Sequence, residues 1–383
     1  MKIFFEYGSK HLTKRSEELC GDNIVFSRLP NCTTLVLSDG LGSGVKANIL
    51  ATLTTKIASH MLEHGLPIDD VVETVSQTLP TCKIRKIAYS TFCIAQLFPE
   101  GHVHVFEYDT PSAFFLRSRR IQKIAYDDRI IQKKVIKETQ LDLKNIDWLV
   151  FVSDGAINAG IGGLWNLGWG WDNIANYLQS HTHPNLTAQD VADDLASTIN
   201  KLYDGKPGDD VSIAVIKVRR KIFATIMVGP PSKKEYDELV VKKLIEQPGL
   251  KIVCGGTTAN IVSRELNRPT QVDLTTMTKN IPPIGSIDGI DLVTEGILTL
   301  SKTVENLKNK VPLKKLQYNI DGASSLIRSL MSVDSIKILV GQAMNPAHQE
   351  PRMPVKLGIK THIAQQLANE LIKLGKEVEL EYF

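Results

Sequence analysis

Four aspartates close short apolar runs, and their spacing is the first chemistry the sequence offers. Leu35-Val36-Leu37-Ser38-Asp39-Gly40 and Leu149-Val150-Phe151-Val152-Ser153-Asp154-Gly155 repeat one pattern of apolar residues followed by Ser, Asp and Gly. A buried strand carries such a carboxylate to the sheet edge. The glycine is expected to turn the backbone sharply and leave its own carbonyl as an oxygen ligand. Gly21-Asp22-Asn23 leads into another β-prone run, and Gly208-Asp209-Asp210 runs straight into a strand over 211–218. A single Asp-Gly reads as a surface turn, but four acids in strand context predict carboxylates gathered in one place. With no His or Cys cluster beside them they suit a hard divalent cation, Mg²⁺ or Mn²⁺, and so many acids call for two ions.

The rest of the chain must hold these acids together. Its 383 residues exceed one ordinary core, so two domains are expected. With 43% hydrophobic and 23% charged residues the chain is globular, neither disordered nor fibrous. The 45 basic and 42 acidic residues leave a net charge of +3, which makes no case for nucleic acid. Five cysteines, none at CxxC spacing, predict neither a disulfide framework nor a zinc site. No signal-like N-terminus and no run of about 18 uncharged apolar residues is visible. A cytoplasmic chain without membrane contact is therefore expected.

Positioning the acids falls to a strand-rich first half. Runs 24–28 and 33–38 read as a hairpin closed by Leu29-Pro30-Asn31. A long helix is predicted over 45–64, its apolar face formed by Ile49, Leu50, Leu53, Ile57, Met61 and Leu62. A second helix over 69–79, an antiparallel meander over 89–135 and a strand over 148–153 follow. A Gly- and Trp-rich loop over 159–172, helices near 174–178 and 188–203, and the strand over 211–218 complete this half. After Arg219-Arg220-Lys221, strands (222–228, 250–254, 335–340) alternate with helices (236–245, 258–266, 361–374), as around a mostly parallel sheet. The expected domains are 1–220 and 221–383.

In order and approximate spacing, Gly21-Asp22-Asn23, Ser38-Asp39-Gly40-Leu41-Gly42-Ser43-Gly44, Ser153-Asp154-Gly155 and Asp209-Asp210-Val211-Ser212 resemble a known family. It is the metal-dependent serine/threonine phosphatases of the PP2C superfamily, in their bacterial SpoIIE-like branch. The resemblance covers residues 1–220. It implies an α+β fold, a four-layer α-β-β-α sandwich, followed here by a smaller α/β domain. It implies a centre of two divalent cations, Mn²⁺ or Mg²⁺, with Asp22 and Asp39 as ligands, Asp39 bridging and the Gly40 carbonyl helping. Asp154 and Asp209 are implied on the other side; the family pattern favours Asp209, and Asp210 stays open as a ligand.

The activity so implied is hydrolysis of phosphoserine or phosphothreonine on a regulatory protein, by analogy one with a STAS domain. Metal-activated water serves as nucleophile, without a covalent phosphoenzyme. Control by rearrangement at helix 45–64 is implied as well, and a homodimer is left open. A degenerate fold acting as a scaffold and a small-molecule phosphatase stand as alternatives. Two departures matter: no residue matches the relatives' phosphate-gripping Arg, although Lys10, Lys14 and Arg15 are nearby, and Leu41 replaces the usual Met.

Other residues read more plainly. His102 and His104 share a strand face but lack a third ligand. Trp165, Trp169 and Trp171 are open to partner stacking or core filling. The Arg117–Arg120 and Lys133-Lys134 cations suit hairpin edges. In the second half, Gly255, Gly256, Thr257 and Thr258 join a strand to a helix, exposing N–H groups at the positive helix end. An anionic small-molecule effector is expected there, in a regulatory or ligand-sensing domain. Asp288-Gly289 and Glu295-Gly296 are expected to bring acids near that loop.

Overall fold

The computed structural model describes residues 3–29, 31–78, 90–161, 166–278, 281–343 and 358–383. They form two compact units, Met1–Arg220 and Lys221–Phe383.

The first unit runs β1 (Ile3–Leu12), β2 (Asp22–Arg28), β3 (Thr33–Gly40), α1 (Gly44–Glu63), α2 (Ile68–Thr78), β4 (Ser90–Leu97), β5 (His102–Tyr108), β6 (Phe114–Arg117), β7 (Arg120–Gln122) and β8 (Asp127–Ile131). It continues with β9 (Lys134–Asp142), β10 (Trp148–Val152), α3 (Asp154–Ile157), α4 (Trp171–His181), α5 (Ala188–Leu202) and β11 (Val211–Arg220). Its strands make two antiparallel sheets among the described residues, ordered β1-β11-β10-β6-β7 and β2-β3-β4-β5-β9-β8. Alternation along the strands decides the layers. Leu35, Leu37, Cys93 and Val105 of one sheet meet Phe5, Leu149, Phe151 and Ile216 of the other in a shared core. Their alternate neighbours point outward: Val36, Ile94 and Phe106 pack under α1 and α2, and Val150, Val152, Ile213 and Val215 under α4 and α5. Each sheet thus has one face on the shared core and the other face under helices.

Helix α1 lies where expected, but its face is turned. The buried side is Ala47, Ala51, Thr54, Thr55, Ala58, Ser59 and Leu62, while Val45, Ile49 and Leu53 are exposed. Close approach explains this, since a Cβ on Gly40 would stand 2.0 Å from the Ala47 carbonyl oxygen, so only small residues fit beneath the helix. Trp169 is buried and Trp171 stacks on Phe114 with centroids 4.7 Å apart, so both fill core; Trp165 lies outside the described residues. Arg117 is more than an edge cation, because its guanidinium meets the buried Asp147 carboxylate at 2.6 Å.

The second unit contains β12 (Phe223–Val228), α6 (Asp237–Glu246), β13 (Leu250–Cys254), α7 (Gly256–Leu266), β14 (Gln271–Asp273), β15 (Ile284–Ile287) and β16 (Ile290–Thr294). Then come α8 (Ile297–Lys308), α9 (Leu313–Leu316), α10 (Gly322–Met331), β17 (Ser335–Val340), α11 (Ile359–Lys373) and β18 (Glu377–Tyr382). One sheet is ordered β14-β15-β16-β13-β12-β17-β18, parallel from β16 to β18. Helices α6 and α7 cover one face, and α8, α10 and α11 the other.

Candidate metal centre

The antiparallel register of β2 and β3 sets Asp22 directly opposite Asp39. The end of β10 is tied to the start of β11: Ser153 N–H donates to the Ser212 carbonyl at 3.0 Å, and Ser212 N–H donates to Ser153 Oγ at 2.8 Å. That tie places Asp154 and the Asp209-Asp210 pair at the same end of the sandwich. Asp22 is 3% exposed, and neither carboxylate oxygen has a hydrogen-bond partner. The Ser153 and Ser212 hydroxyls lie near enough to oppose its shift, yet neither closes to bonding distance.

The acids influence one another electrostatically. Burial first, then the Asp22 and Asp154 charges and, more weakly, Asp209, push the Asp39 carboxyl up to about 9. Burial and the Asp210 charge push Asp22 up to about 6. Asp154 is raised by burial, then by Asp209, with Asp109 adding to it. Charge effects thus link five acids, Asp22, Asp39, Asp154, Asp209 and Asp210.

The last two take different places. Asp210 is buried, its Oδ1 accepting the Lys14 N–H at 2.8 Å and its Oδ2 unpartnered. Asp209 is 40% exposed at its side chain and faces the Lys14 ammonium at 3.6 Å. Asp210 thus acts on Asp22, and Asp209 on Asp39 and Asp154.

Gly40 and Gly155 do not turn the chain as expected. Gly40 is the last residue of β3 and Gly155 lies within α3, both without positive φ. Each is glycine because another backbone presses on it: a Cβ on Gly155 would stand 2.1 Å from the Asp210 carbonyl oxygen. The turning falls to Gly42 and Gly44, at φ +108° and +67°.

The donor set suits hard cations. It is all carboxylate oxygen, several atoms being buried and unpartnered, which a hard divalent ion would satisfy. Among the described residues, however, no three His, Cys, Asp or Glu side chains close into a ready cage.

Sequence reasoning did not assign Lys14 or Asp109 to this site. Lys14 reaches Asp210 across a separation of 196 residues, through the β1–β11 ladder that pairs Leu12 with Val211. Nothing local signals such a contact. Beside Asp154 opens a cavity of about 970 Å³ lined by Glu107, Asp109, Lys133, Lys134 and Lys137 among others. Glu107 is 1% exposed; burial pushes it up to about 7 although the Ala113 N–H and Tyr126 hydroxyl donate to it at 2.8 Å. His102 pairs with Asp142 at 3.2 Å.

Comparison with known proteins agrees with this fold. Residues 30–219 match the family model described as Stage II sporulation protein E (SpoIIE). The PP2C phosphatase domain of SpoIIE from Bacillus subtilis, solved with a fragment of its regulatory domain, is 19% identical, with a TM-score of 0.50 over 57% of this chain and 64% of that one. The RsbU and RsbW domains of a Mycobacterium tuberculosis protein are 15% identical, with a TM-score of 0.46 over 63% of this chain and 68% of that one. RsbX in complex with magnesium is 13% identical, with a TM-score of 0.40 over 57% and 96%. No curated protein matches the chain. Residues 30–219 thus carry a SpoIIE-type domain by the family model, and the N-terminal unit has the fold of a PP2C phosphatase domain. Among the described residues, no helix is long and apolar enough to cross a membrane.

Proposed function

We propose that the N-terminal unit hydrolyses phosphoserine or phosphothreonine on a regulatory protein. Two divalent cations, Mn²⁺ or Mg²⁺, would be held by Asp22, Asp39, Asp154, Asp209 and Asp210. The observation that carries this reading is the Asp22–Asp39 pair, one carboxylate buried with both oxygens unpartnered and the other pushed up to about 9. A purely structural site has no use for such repulsion, which bound cations would relieve. Bound ions supply an activated water and absorb charge at the phosphoryl group.

The chain's own residues do the rest. The Lys14 ammonium, half-exposed at the rim of the cluster, is placed to meet a phosphoryl oxygen. The lysine-lined cavity beside Asp154 receives the phosphorylated segment and favours acidic flanks. The exposed Val45, Ile49 and Leu53 of α1 offer a partner a handle on the helix that packs against Gly40, next to Asp39. That a STAS-like protein is this partner rests on the family resemblance.

A non-catalytic scaffold is favoured by one observation, the lack of a ready cage among the described residues. Mn²⁺-dependent hydrolysis of an aryl phosphate and a phosphoserine peptide by wild type and Asp39→Asn separates the two. Turnover lost in the variant and in EDTA supports the phosphatase, whereas activity indifferent to both removes it.

A further inference from the structure

The second unit's parallel strands run in spatial order β16-β13-β12-β17-β18, and their crossovers leave on opposite faces, α6 after β12 and α11 after β17. Adjacent β12 and β17 thus form a switch point, where the carboxyl edge of such a sheet opens a crevice. Glycines crowd that edge: Gly229 follows β12, Gly255 and Gly256 follow β13, Gly296 follows β16 and Gly341 follows β17. We propose that this edge binds a phosphate-bearing small molecule, its phosphate seated on the first-turn N–H groups of α7 and paired with the Lys360 ammonium.

Three observations converge. First, α7 begins bare. Its N-cap is Gly255 at φ +119°, no side chain caps it, and its first turn holds no acid. Two other helix starts of the unit are already supplied, since Glu295 accepts the Leu298 N–H of α8 at 3.0 Å, and Asp321 accepts the Ala323 and Ser324 N–H groups of α10. The first N–H groups of α7 lack intrahelical partners, and the positive helix end favours an anion. A Cβ on Gly256 would meet nothing within 4 Å, so space is open in front of them.

Second, Thr258 in that first turn is 1% exposed, yet its hydroxyl has no hydrogen-bond partner. The hydroxyl oxygen faces the glycine turn, 2.9 Å from where a Gly255 Cβ would be. A buried unsatisfied hydroxyl is destabilising, and a ligand drawing the loop onto it would relieve that.

Third, a cation waits one strand away. The Lys360 Nζ lies 3.7 Å from a Cβ built on Gly229, and Gly229 N–H reaches the Cys254 carbonyl at 3.5 Å, next to Gly255. Half-buried Lys360 has no carboxylate partner among the described residues. Of the two acids expected near the loop, only Glu295 is at this edge, turned to α8; Asp288 sits in the β15–β16 turn at the opposite end of the strand.

The test measures inorganic pyrophosphate and ADP binding to the full chain by calorimetry in EDTA, where the acidic cluster of the first unit repels anions. The comparison set is wild type, Lys360→Gln, Thr258→Val, Gly256→Glu and Asp39→Asn. Lys360→Gln and Gly256→Glu are each expected to weaken binding by about tenfold or more, with a smaller loss in Thr258→Val and none in Asp39→Asn. Gly256→Glu, which supplies its own carboxylate to the helix end, should keep or raise Tm while losing the ligand. Binding absent from wild type, or unchanged in all three second-unit variants, overturns the proposal. So does binding lost only in Asp39→Asn, which would put the anion in the first unit.

Discussion

Both units gather their chemistry at strand ends, with opposite polarity. In the first, β3, β10 and β11 deliver carboxylates, and burial with the neighbouring acids pushes the Asp39 carboxyl up to about 9. In the second, β12, β13 and β16 end in glycines, and the edge presents backbone N–H groups with the Lys360 ammonium. Side chains make the first edge negative and wait for cations; bare backbone makes the second positive and waits for an anion. Antiparallel pairing sets acids across from each other, whereas parallel strands each feed a helix whose N-terminus points at the same edge.

The sharpest way to break this contrast is Asp39→Asn. Phosphatase turnover should fall by about a thousandfold or more, while the metal-free protein gains stability because a strained charge is gone. The sign follows from the raised carboxyl: folded Asp39 holds its proton above the ordinary 3.8, so metal-free stability declines as pH rises from there through about 9. Urea titrations of both proteins from pH 5 to 9 check it; parallel curves would refute the buried-charge account.

Glycines test the contrast next. Gly155→Ala drives a Cβ to 2.1 Å from the Asp210 carbonyl oxygen and should cost about 1–3 kcal/mol along with activity. Gly256→Ala meets open space and should be neutral or stabilising by about 0.5–1 kcal/mol. Thermal unfolding of the two variants reads both effects; equal losses would remove the distinction between a packed and an open glycine.

Glu107 gives a subtler pH effect. Its carboxyl is raised from 4.5 to about 7 by burial, so the folded state retains a proton the unfolded chain has released. Stability should therefore fall as pH rises between those values, and Glu107→Gln should flatten that part of the profile. The smallest expected change is Lys14→Met, which keeps the stem and removes the ammonium near Asp209. About a three- to tenfold rise in KM for a phosphopeptide with little loss of stability is predicted, in line with a rim charge.

Much of the first unit is legible in the sequence. The hairpin, α1, β10 and β11 lie within a few residues of their expected places, because period-two and period-3.6 patterns are local. The buried face of α1 departs from its apolar pattern, because apolar content points to Ile49 and Leu53 while the pressure of Gly40 selects Ala47 and Ala51. In the second unit β18 and α10 were not foreseen; the β18 pattern of alternating Glu and apolar residues suits an edge strand, and α10 is announced mainly by Asp321 as N-cap. The unequal placement of Asp209 and Asp210 had no local cue, as only the Lys14 contact across 196 residues separates them.

The amino-acid order alone determined that acids end strands in the first half and that glycines end them in the second, since both are properties of neighbouring residues. Only tertiary structure decided which oxygens are left without partners, which glycines are pressed by another backbone, and that Lys360 stands over Gly229. Those depend on segments distant in the chain meeting at one edge, where burial removes the water that would otherwise make every carboxylate and ammonium alike.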